Sequence, residues 1–329
     1  MADYTGTADL SGAVPSFYNK RFLERFLAKL KMREFCTPTE LPDNNGTVAY
    51  WARITTPSMT VSAARIQYSA GREPITPGNI VSTQISGTIE KYGWAVAIQD
   101  VTQLAAINST VTETSDAMSD QAGGIIDTRI IEEAYGSSSN AVPTGLGFSA
   151  IQYSTTGSAE IGASVSAYFT TANATDHVMT TKTIRNAVKT MEGRNAPRFE
   201  DGFYALVCHS NTASVLQGDT TWQATCQYTD PENMKKGVVG TYGGVRIQVD
   251  NSIKSSANGS GGATVYFSLL LSRGGLGITE LDGGVKYYTV AGGASKYDPI
   301  DEFISIGWKA LFVPVRLNLS GGLVLITCD

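Results

Sequence analysis

Few residues in this chain have the potential for nucleophilic or metal chemistry. They are Cys36, Cys208, Cys226, Cys328, His177 and His209. No two cysteines have the Cys-x-x-Cys spacing of a zinc or redox site, and two histidines add little to a metal site. We therefore expect buried free thiols. We expect a structural role for His209, because it lies where a predicted buried strand gives way to a helix.

Two segments match catalytic or cofactor motifs only in part. The segment Gly145-Leu-Gly-Phe-Ser-Ala fits a relaxed dinucleotide fingerprint, but Pro143 precedes it instead of an apolar strand. Asp298, Asp301 and Glu302 could do acid–base chemistry, yet neighbouring acids in a turn usually form a solvated loop. The GxSxG, HExxH, P-loop and EF-hand motifs are absent. The sequence predicts no catalytic, cofactor-binding or metal-binding residue, and therefore no enzyme.

The composition suits a protein that packs against its own copies, and it is shared by many β-rich secreted domains. The 329 residues could form one large or two ordinary domains. Only 17% are charged, against roughly 25% in an average soluble domain, so much of the polar surface is neutral. A net charge of -5 argues against a dedicated nucleic-acid binder. The N-terminus has no signal-peptide pattern, and the apolar runs are too short to span a membrane, so we expect synthesis in the cytosol.

The first part of the chain predicts a disordered arm, residues 1–14, followed by an amphipathic helix that starts near Pro15. Apolar residues recur with helical spacing at Phe17, Tyr18, Phe22, Leu23, Phe26, Leu27 and Leu30. The other face carries Lys20, Arg21, Arg25, Lys29, Lys31 and Arg33. This basic face is either solvated or docks on an acidic neighbour or nucleic acid.

Residues 48–98 are typical of β-structure and predict a long hairpin or extended loop. The stretch from Gly87 to Ile98 alternates like a half-buried strand, and its exposed edge needs a partner chain or charges. Glu90 and Lys91 could be those charges.

A long helix is predicted over residues 111–135. Thr110 and Glu113 match a capping box, and Gly136 ends the pattern. At about 1.5 Å per residue the helix spans on the order of 37 Å, which is typical of a structural strut. Gly123 and Gly124 permit a bend. Residues 137–179 predict a loop or hairpin insertion.

The rest of the chain predicts a second helix and a strand-rich region. The helix covers residues 181–192, and a buried strand at residues 203–208 leads to a short helix capped by Ser210. Further strands are expected at residues 245–249, 264–271, 285–290, 303–315 and 323–327. Asn258-Gly259 and Asp282-Gly283 are expected to form turns between them.

This α+β order of elements resembles the Hong Kong 97-type capsid fold of tailed bacteriophages. Within that fold the chain is similar to the major capsid proteins of the coliphage N-four group. The similarity lies in Glu73-Pro-Ile-Thr-Pro-Gly78, Lys91-Tyr-Gly-Trp-Ala-Val-Ala-Ile-Gln-Asp100, Gly237-Val-Val-Gly-Thr-Tyr-Gly-Gly-Val-Arg-Ile-Gln-Val249 and Ser305-Ile-Gly-Trp-Lys-Ala-Leu-Phe312. It covers most of residues 15–329, although residues 137–179 match poorly.

The resemblance implies a domain layout. Residues 1–50 would be the N-terminal arm with its helix, and 51–98 the extended β-loop over a neighbouring subunit. Residues 99–200 would be the peripheral domain with its spine helix and the insertion. Residues 201–290 would be the axial domain, and 291–329 terminal strands that return to the peripheral domain.

The same resemblance implies a major capsid protein that forms hexamers and pentamers of an icosahedral head around double-stranded DNA. It would be located in the virion after assembly in the bacterial host cytoplasm. Its partners would be its own copies, portal and scaffolding proteins, a decoration protein, and packaged DNA through weak non-specific contacts. Cofactors and membranes are not implied. We take as inter-subunit contact candidates Lys20, Arg21, Arg25, Lys29, Glu73, Glu90 and Lys91.

Other functions stay open on the sequence alone. An encapsulin-type compartment would have the same fold but would package proteins. A β-rich surface or carbohydrate-binding module would fit the Gly, Ser, Thr and Asn content, although it would not need the strut. No Lys–Asn pair for an isopeptide crosslink is indicated by the sequence, so we expect none.

Overall fold

Residues 13–42, 46–54, 80–105, 109–136, 147–153, 159–161, 177–229, 240–257, 262–290 and 302–328 are described by a computed structural model of the chain. Several predicted features lie outside these residues. They are the arm before residue 13, Glu73 and the rest of the extended loop at residues 55–79, Gly145, the Asn258-Gly259 turn, and Asp298 with Asp301.

The helices of the described residues largely follow the periodic apolar positions. They are α1 (Ala13–Lys29), α2 (Asp100–Ala105), α3 (Thr110–Tyr135), α4 (Thr181–Gly193), α5 (Ser210–Gln217) and α6 (Thr220–Thr229). The predicted strut is confirmed as α3, called the strut helix below, and the predicted second helix is confirmed as α4. The short, polar helices α2 and α6 were not predicted.

Two predicted helix caps are wrong by one residue. The strut helix is capped by Ser109, not Thr110, because the Ser109 carbonyl accepts the first hydrogen bonds of the helix, from the N–H groups of Thr112 and Glu113. Helix α5 is capped by His209, not Ser210. The ring nitrogen Nδ1 of His209 accepts the N–H of Asn211 at 3.2 Å.

The strands of the described residues are numbered β1 to β14. They are β1 (Cys36–Leu41), β2 (Val48–Ile54), β3 (Ser82–Thr88), β4 (Glu90–Gln99), β5 (Ser149–Tyr153), β6 (Ala159–Ile161), β7 (Tyr204–Cys208), β8 (Thr241–Tyr242), β9 (Val245–Val249), β10 (Ser255–Ser256), β11 (Val265–Leu271), β12 (Leu276–Val290), β13 (Phe303–Arg316) and β14 (Gly322–Cys328). The strand at residues 245–249 has the predicted bounds.

The predicted turn at Asp282-Gly283 is wrong. Strand β12 continues through it and pairs with β13 on both sides, with an irregular register between Glu280 and Val285. Gly283 and Gly284 both have φ near +76°, and these left-handed conformations absorb the extra residues as a bulge. The expected strand at residues 285–290 is therefore the second half of a longer strand.

The strands form two large sheets and one hairpin. Sheet one has the order β1-β12-β13-β4. Sheet two has the order β6-β5-β14-β11-β7-β9-β8, with β10 on β11. Part of the predicted insertion is thus a hairpin, β5–β6, whose first strand pairs in parallel with β14.

The central strands of sheet two, β7, β11 and β14, are buried on both faces, which explains their continuous apolar runs. In β7, Leu206 belongs to a core shared with the α4 helix, whereas Ala205 and Val207 belong to the core that contains the strut helix. Strand β14 divides in the same way, with Leu325 on one side and Val324 on the other.

The strut helix joins the two sheets through one core. Against sheet one, Trp308 Nε1 donates to Gln121 Oε1 at 3.3 Å. At its C-terminal end, the Tyr135 ring packs edge-on against Phe267 of sheet two, with centroids 6.4 Å apart, and its hydroxyl donates to the Phe267 carbonyl. Among the helices of the described residues, none is long and apolar enough to cross a membrane.

The predicted hairpin is confirmed at its base. Strands β2 and β3 pair antiparallel, and only Ile89 separates β3 from β4, so the hairpin extends from the edge strand of sheet one. A small core of Ile89, Val313 and Val315 holds this base.

Gly123→Ala and Gly124→Ala should have opposite effects, although these glycines are adjacent in the strut helix. A Cβ at Gly123 would lie 2.8 Å from Cβ of Lys29 on α1, whereas no atom lies within 4 Å at Gly124. Alanine in place of helical glycine stabilises by about 0.5–1 kcal/mol, and overpacking costs about 1–3 kcal/mol. Thermal unfolding should therefore give a higher Tm for Gly124→Ala and a lower Tm for Gly123→Ala. Equal shifts would contradict the close approach of the two helices.

Candidate functional site

Helix α1 lies along the strut helix and is attached by a row of ion pairs, called the clasp. Arg21 binds Asp116 through two hydrogen bonds of 2.9 and 2.8 Å. Arg25 binds Asp120 in the same way at 2.9 and 2.7 Å, and also reaches Asp116 at 3.0 Å. Lys29 Nζ is 3.9 Å from Asp120. Part of the basic face therefore contacts an acidic face of the same chain.

The clasp lowers the pKa of its two carboxyl groups. The hydrogen bonds from Arg21 lower the pKa of Asp116, and those from Arg25 lower the pKa of Asp120, from the usual 3.8. A carboxyl whose folded pKa is depressed stabilises the fold above its unfolded pKa and loses that effect as the pH falls further. The clasp is thus intact at neutral and mildly acidic pH.

Beside the clasp, two aromatic side chains of α1 are buried, whereas Leu23 and Leu27 are exposed. Phe22 and Phe26 are buried, and the Phe22 ring stacks on Tyr287 of sheet one with centroids 4.5 Å apart. Burying such a side chain is worth about 1.5–3 kcal/mol. Exposed ion pairs contribute little to stability, so the aromatic residues hold α1 and the clasp orients it.

After α1 the chain turns around a buried carboxylate of the strut helix. The backbone N–H groups of Lys31 and Met32 donate to Asp127 at 2.8 and 3.2 Å. Asp127 is only 3% exposed. Burial raises its pKa to about 6, and the nearby charge of Asp250 adds to this effect against the two hydrogen bonds. A single side chain therefore holds the path from α1 to β1.

The residues singled out for chemistry have structural positions. Cys36, Cys208 and Cys328 are buried and free, as predicted, whereas the side chain of Cys226 lies outside the described part of the structure. Burial raises the pKa of Cys36 and Cys208 to about 12, which disfavours the reactive thiolate. His209 caps α5 and stacks on Tyr266, with centroids 4.8 Å apart, which confirms its structural role.

The partial dinucleotide motif leads into a strand instead of a helix. A Cβ at Gly147 would lie 2.3 Å from the Tyr135 carbonyl carbon, so this glycine serves close packing against the end of the strut helix. The next residues form β5. Within the described part of the chain, no group of three His, Cys, Asp or Glu residues could hold a metal ion.

The predicted inter-subunit contact candidates have different surroundings in the structure. Arg21, Arg25 and Lys29 belong to the clasp but remain about half exposed. Lys20 is 79% exposed and lies 3.9 Å from Glu24. Glu90 accepts a hydrogen bond from the Tyr92 hydroxyl, and Lys91 is exposed at the start of β4.

The sequence reasoning missed the acidic half of the clasp. A signal was present, because Arg21 and Arg25 are spaced by four residues and so are Asp116 and Asp120. Equal spacing on two helices places opposite charges in register when the helices lie side by side in the same direction.

Arg25→Ala should loosen α1, whereas Lys20→Ala should not. Arg25 contacts both aspartates of the clasp, whereas among the described residues Lys20 pairs with Glu24 and with neither aspartate. We expect several-fold faster hydrogen exchange of α1 amides in Arg25→Ala and unchanged exchange in the Lys20→Ala control. The same rates in both variants would show that the clasp does not orient the helix.

Comparisons with known proteins give a consistent result at the level of structure. No protein-family model matches the chain, and no curated protein matches it in sequence. A chain of the cyanophage Pam1 capsid is 14% identical, with a TM-score of 0.69 over 92% of each chain. One from the cyanophage P-SCSP1u capsid is 15% identical, with a TM-score of 0.63 over 90% of this chain and 87% of that one. A chain of the Ralstonia phage GP4 capsid is 11% identical, with a TM-score of 0.65 over 92% of each chain. The chain therefore has the mixed helix-and-strand fold of these phage capsid chains.

Proposed function

We propose that this chain is the major capsid protein of a tailed bacteriophage, which self-assembles into the hexamers and pentamers of an icosahedral head around double-stranded DNA. The observation that carries the proposal is the agreement in fold over about nine tenths of the chain with capsid chains of several phages. No enzymatic activity belongs to the proposal.

Exposed apolar groups support association with further copies. On the hairpin, Tyr50 and Ile54 of β2 are exposed, as are Ile80 and Val81 just before β3. Such a group on an element that extends from the sheet favours burial against another molecule.

The edge strand β4 supports the same conclusion. The two edges of sheet one differ, because β1 carries Pro38 and Glu40, whereas β4 has no proline or charge from Tyr92 to Ile98. Proline and charge are the usual means of blocking unwanted strand pairing. On β4, Trp94 is 58% exposed, although Trp308 opposite it is buried. An exposed tryptophan on an open edge is a suitable anchor for a subunit contact.

The proposal includes the Hong Kong 97-type layout and similarity to the major capsid proteins of the coliphage N-four group. The strut helix would be the spine helix of the peripheral domain, and sheet two with α4, α5 and α6 would form the axial domain. Strand pairing and core packing favour several changes to the expected boundaries. Helix α4 and the hairpin β5–β6, expected in the peripheral domain, go with sheet two, and β1 and β4 pair within sheet one. Strand β12 pairs within sheet one, and so belongs with the peripheral domain, whereas β14 pairs within sheet two.

The proposed partners follow from this role. Other copies of the chain would contact Lys20, Glu73, Glu90 and Lys91, together with the exposed parts of the clasp residues Arg21, Arg25 and Lys29. Portal, scaffolding and decoration proteins would bind the shell, and DNA would be held only by weak non-specific contacts. The protein would assemble in the bacterial cytoplasm and be located in the virion.

The expressed chain should form closed particles visible by negative-stain microscopy. Light scattering should give a mass many times the 35.0 kDa of the monomer. A persistent monomer under assembly conditions, lysate factors included, would contradict the proposal.

The contents of native particles distinguish a phage head from an encapsulin-type compartment, because only a phage head should contain nuclease-protected DNA. Boiled, reduced particles should show no covalent ladder.

Trp94→Ser should weaken assembly, with Leu319→Ser as the matched control, since Leu319 is similarly exposed but lies away from β4. Loss of an aromatic anchor costs about 2 kcal/mol, or about thirtyfold in affinity per contact. The assembled fraction, measured by sedimentation at several concentrations, should fall only for Trp94→Ser. Normal assembly of this variant would remove β4 as a contact without affecting the shell function.

A further inference from the structure

Three parts of the fold meet at one buried point, called the joint. The segment after α1 contributes Lys31 and Met32, whose N–H groups donate to Asp127 of the strut helix. The Lys31 side chain continues to sheet two, where Nζ donates to the Val249 carbonyl at 2.9 Å and lies 3.9 Å from Asp250 Oδ1. The joint thus connects α1, the strut helix and the end of β9.

The charges of the joint do not balance when both aspartates are ionised. Asp127 and Asp250 are 3% and 5% exposed, and Lys31 is the one cation that contacts either of them within the described residues. Asp250 Oδ1 accepts the N–H of Ser252 at 3.0 Å, but no described group donates to its buried Oδ2. A buried, unbalanced carboxylate is costly, and a proton is the simplest way to neutralise it.

The other titratable groups around the joint come from each element that packs on it. They are Cys36 at the start of β1, Arg33 before it, Tyr135 on the strut helix, and Lys254 after the turn that follows β9. Burial raises the pKa of Cys36 and Tyr135, so both stay neutral near pH 7, and Lys254 lies over the Tyr135 ring. None of these groups supplies a proton acceptor for mildly acidic pH, which leaves Asp127, whose pKa is raised.

We propose that the joint takes up one proton, held mainly by Asp127, and that this uptake tightens the attachment of α1 to the strut helix and sheet two. The attachment of the arm is then a property of the folded subunit that depends on pH. It does not require that the subunit assemble into a shell.

The direction of the effect follows from the folded and unfolded states. Asp127 has a pKa of about 6 in the folded chain and 3.8 as its ordinary value. Between these values the folded state binds more protons than the unfolded state, so the stability falls as the pH rises through this window. The difference between the folded and the ordinary pKa of Asp127 corresponds to a roughly hundredfold change in the unfolding equilibrium constant. The clasp acts in the opposite direction, and only at lower pH, since the pKa values of Asp116 and Asp120 are lowered.

The test compares the unfolding of four chains from pH 4 to 7.5, at protein concentrations where the chain is monomeric. They are the wild type, Asp127→Asn, Asp250→Asn and the control Asp201→Asn, which removes an exposed carboxylate. Taking the difference between the wild type and each variant cancels the contribution of all titratable groups that the two chains share. We expect the wild type to lose up to roughly a hundredfold in its folding equilibrium constant relative to Asp127→Asn as the pH rises from 4 to 7.

Two further measurements keep the proposal open to contradiction if Asp127→Asn does not fold. Asp250→Asn removes the negative charge near Asp127. In this variant the pH at which the folding equilibrium constant falls should therefore be lower than in the wild type, whereas Asp201→Asn should behave as the wild type. In the wild type, hydrogen exchange of residues 31–35, corrected for the intrinsic pH dependence, should be slower at pH 5 than at pH 7.5. A flat pH profile, an unmoved transition in Asp250→Asn, or faster exchange at pH 5 would each overturn the proton-linked joint.

Discussion

The burial of the strut helix between two sheets is the constraint on which the rest of the structure depends. Its side chains belong to the same core as residues of β12, β13, β11 and β14. A helix covered on one side by one sheet and on another by a second cannot shift against either without opening the core, because interiors are close-packed. The relative position of the two sheets is therefore set by one element.

The attachment of α1 combines three kinds of interaction with different strengths and ranges. Phe22 and Phe26 provide apolar burial, the clasp aligns charges along the surface, and Gly123 lets the two helices approach closely. After the end of α1, the carboxylate of Asp127 takes the place of backbone carbonyls, because it accepts the N–H groups of Lys31 and Met32. Apolar burial is insensitive to pH, whereas the clasp and the joint respond to it in opposite directions. The clasp has partly exposed carboxylates paired with arginine, and the joint has a buried carboxylate near a second one.

The exposed features of the subunit have a common explanation in assembly. A protein that functions alone would blunt a strand edge such as β4 and would not expose apolar groups on an extended hairpin. Both features are understandable if neighbouring copies cover them, as the proposed shell requires. The low content of charged residues fits this view, since a weakly charged surface repels its own copies only weakly.

Much of the local structure could be predicted from the sequence. Helical spacing of apolar residues and a terminal glycine were enough to predict the strut helix. Continuous apolar runs were enough to predict the central strands of sheet two. Helices α2 and α6 and strand β1 escaped prediction, because they are short and polar and depend on their tertiary contacts.

The sequence by itself determined most of the long helices and central strands, and it supplied the partial motifs that make this chain resemble a capsid subunit. Only the tertiary structure decided which distant residues of the chain interact with each other. Asp116 and Asp120 meet the basic face of α1 from 95 residues away, and the charge of Asp250 acts on Asp127 from another element. It also decided that Asp282-Gly283 is a bulge, because the ladder with β13 resumes beyond it. Local propensity acts over a few residues, whereas charge pairing, burial and strand register arise only when distant segments pack together.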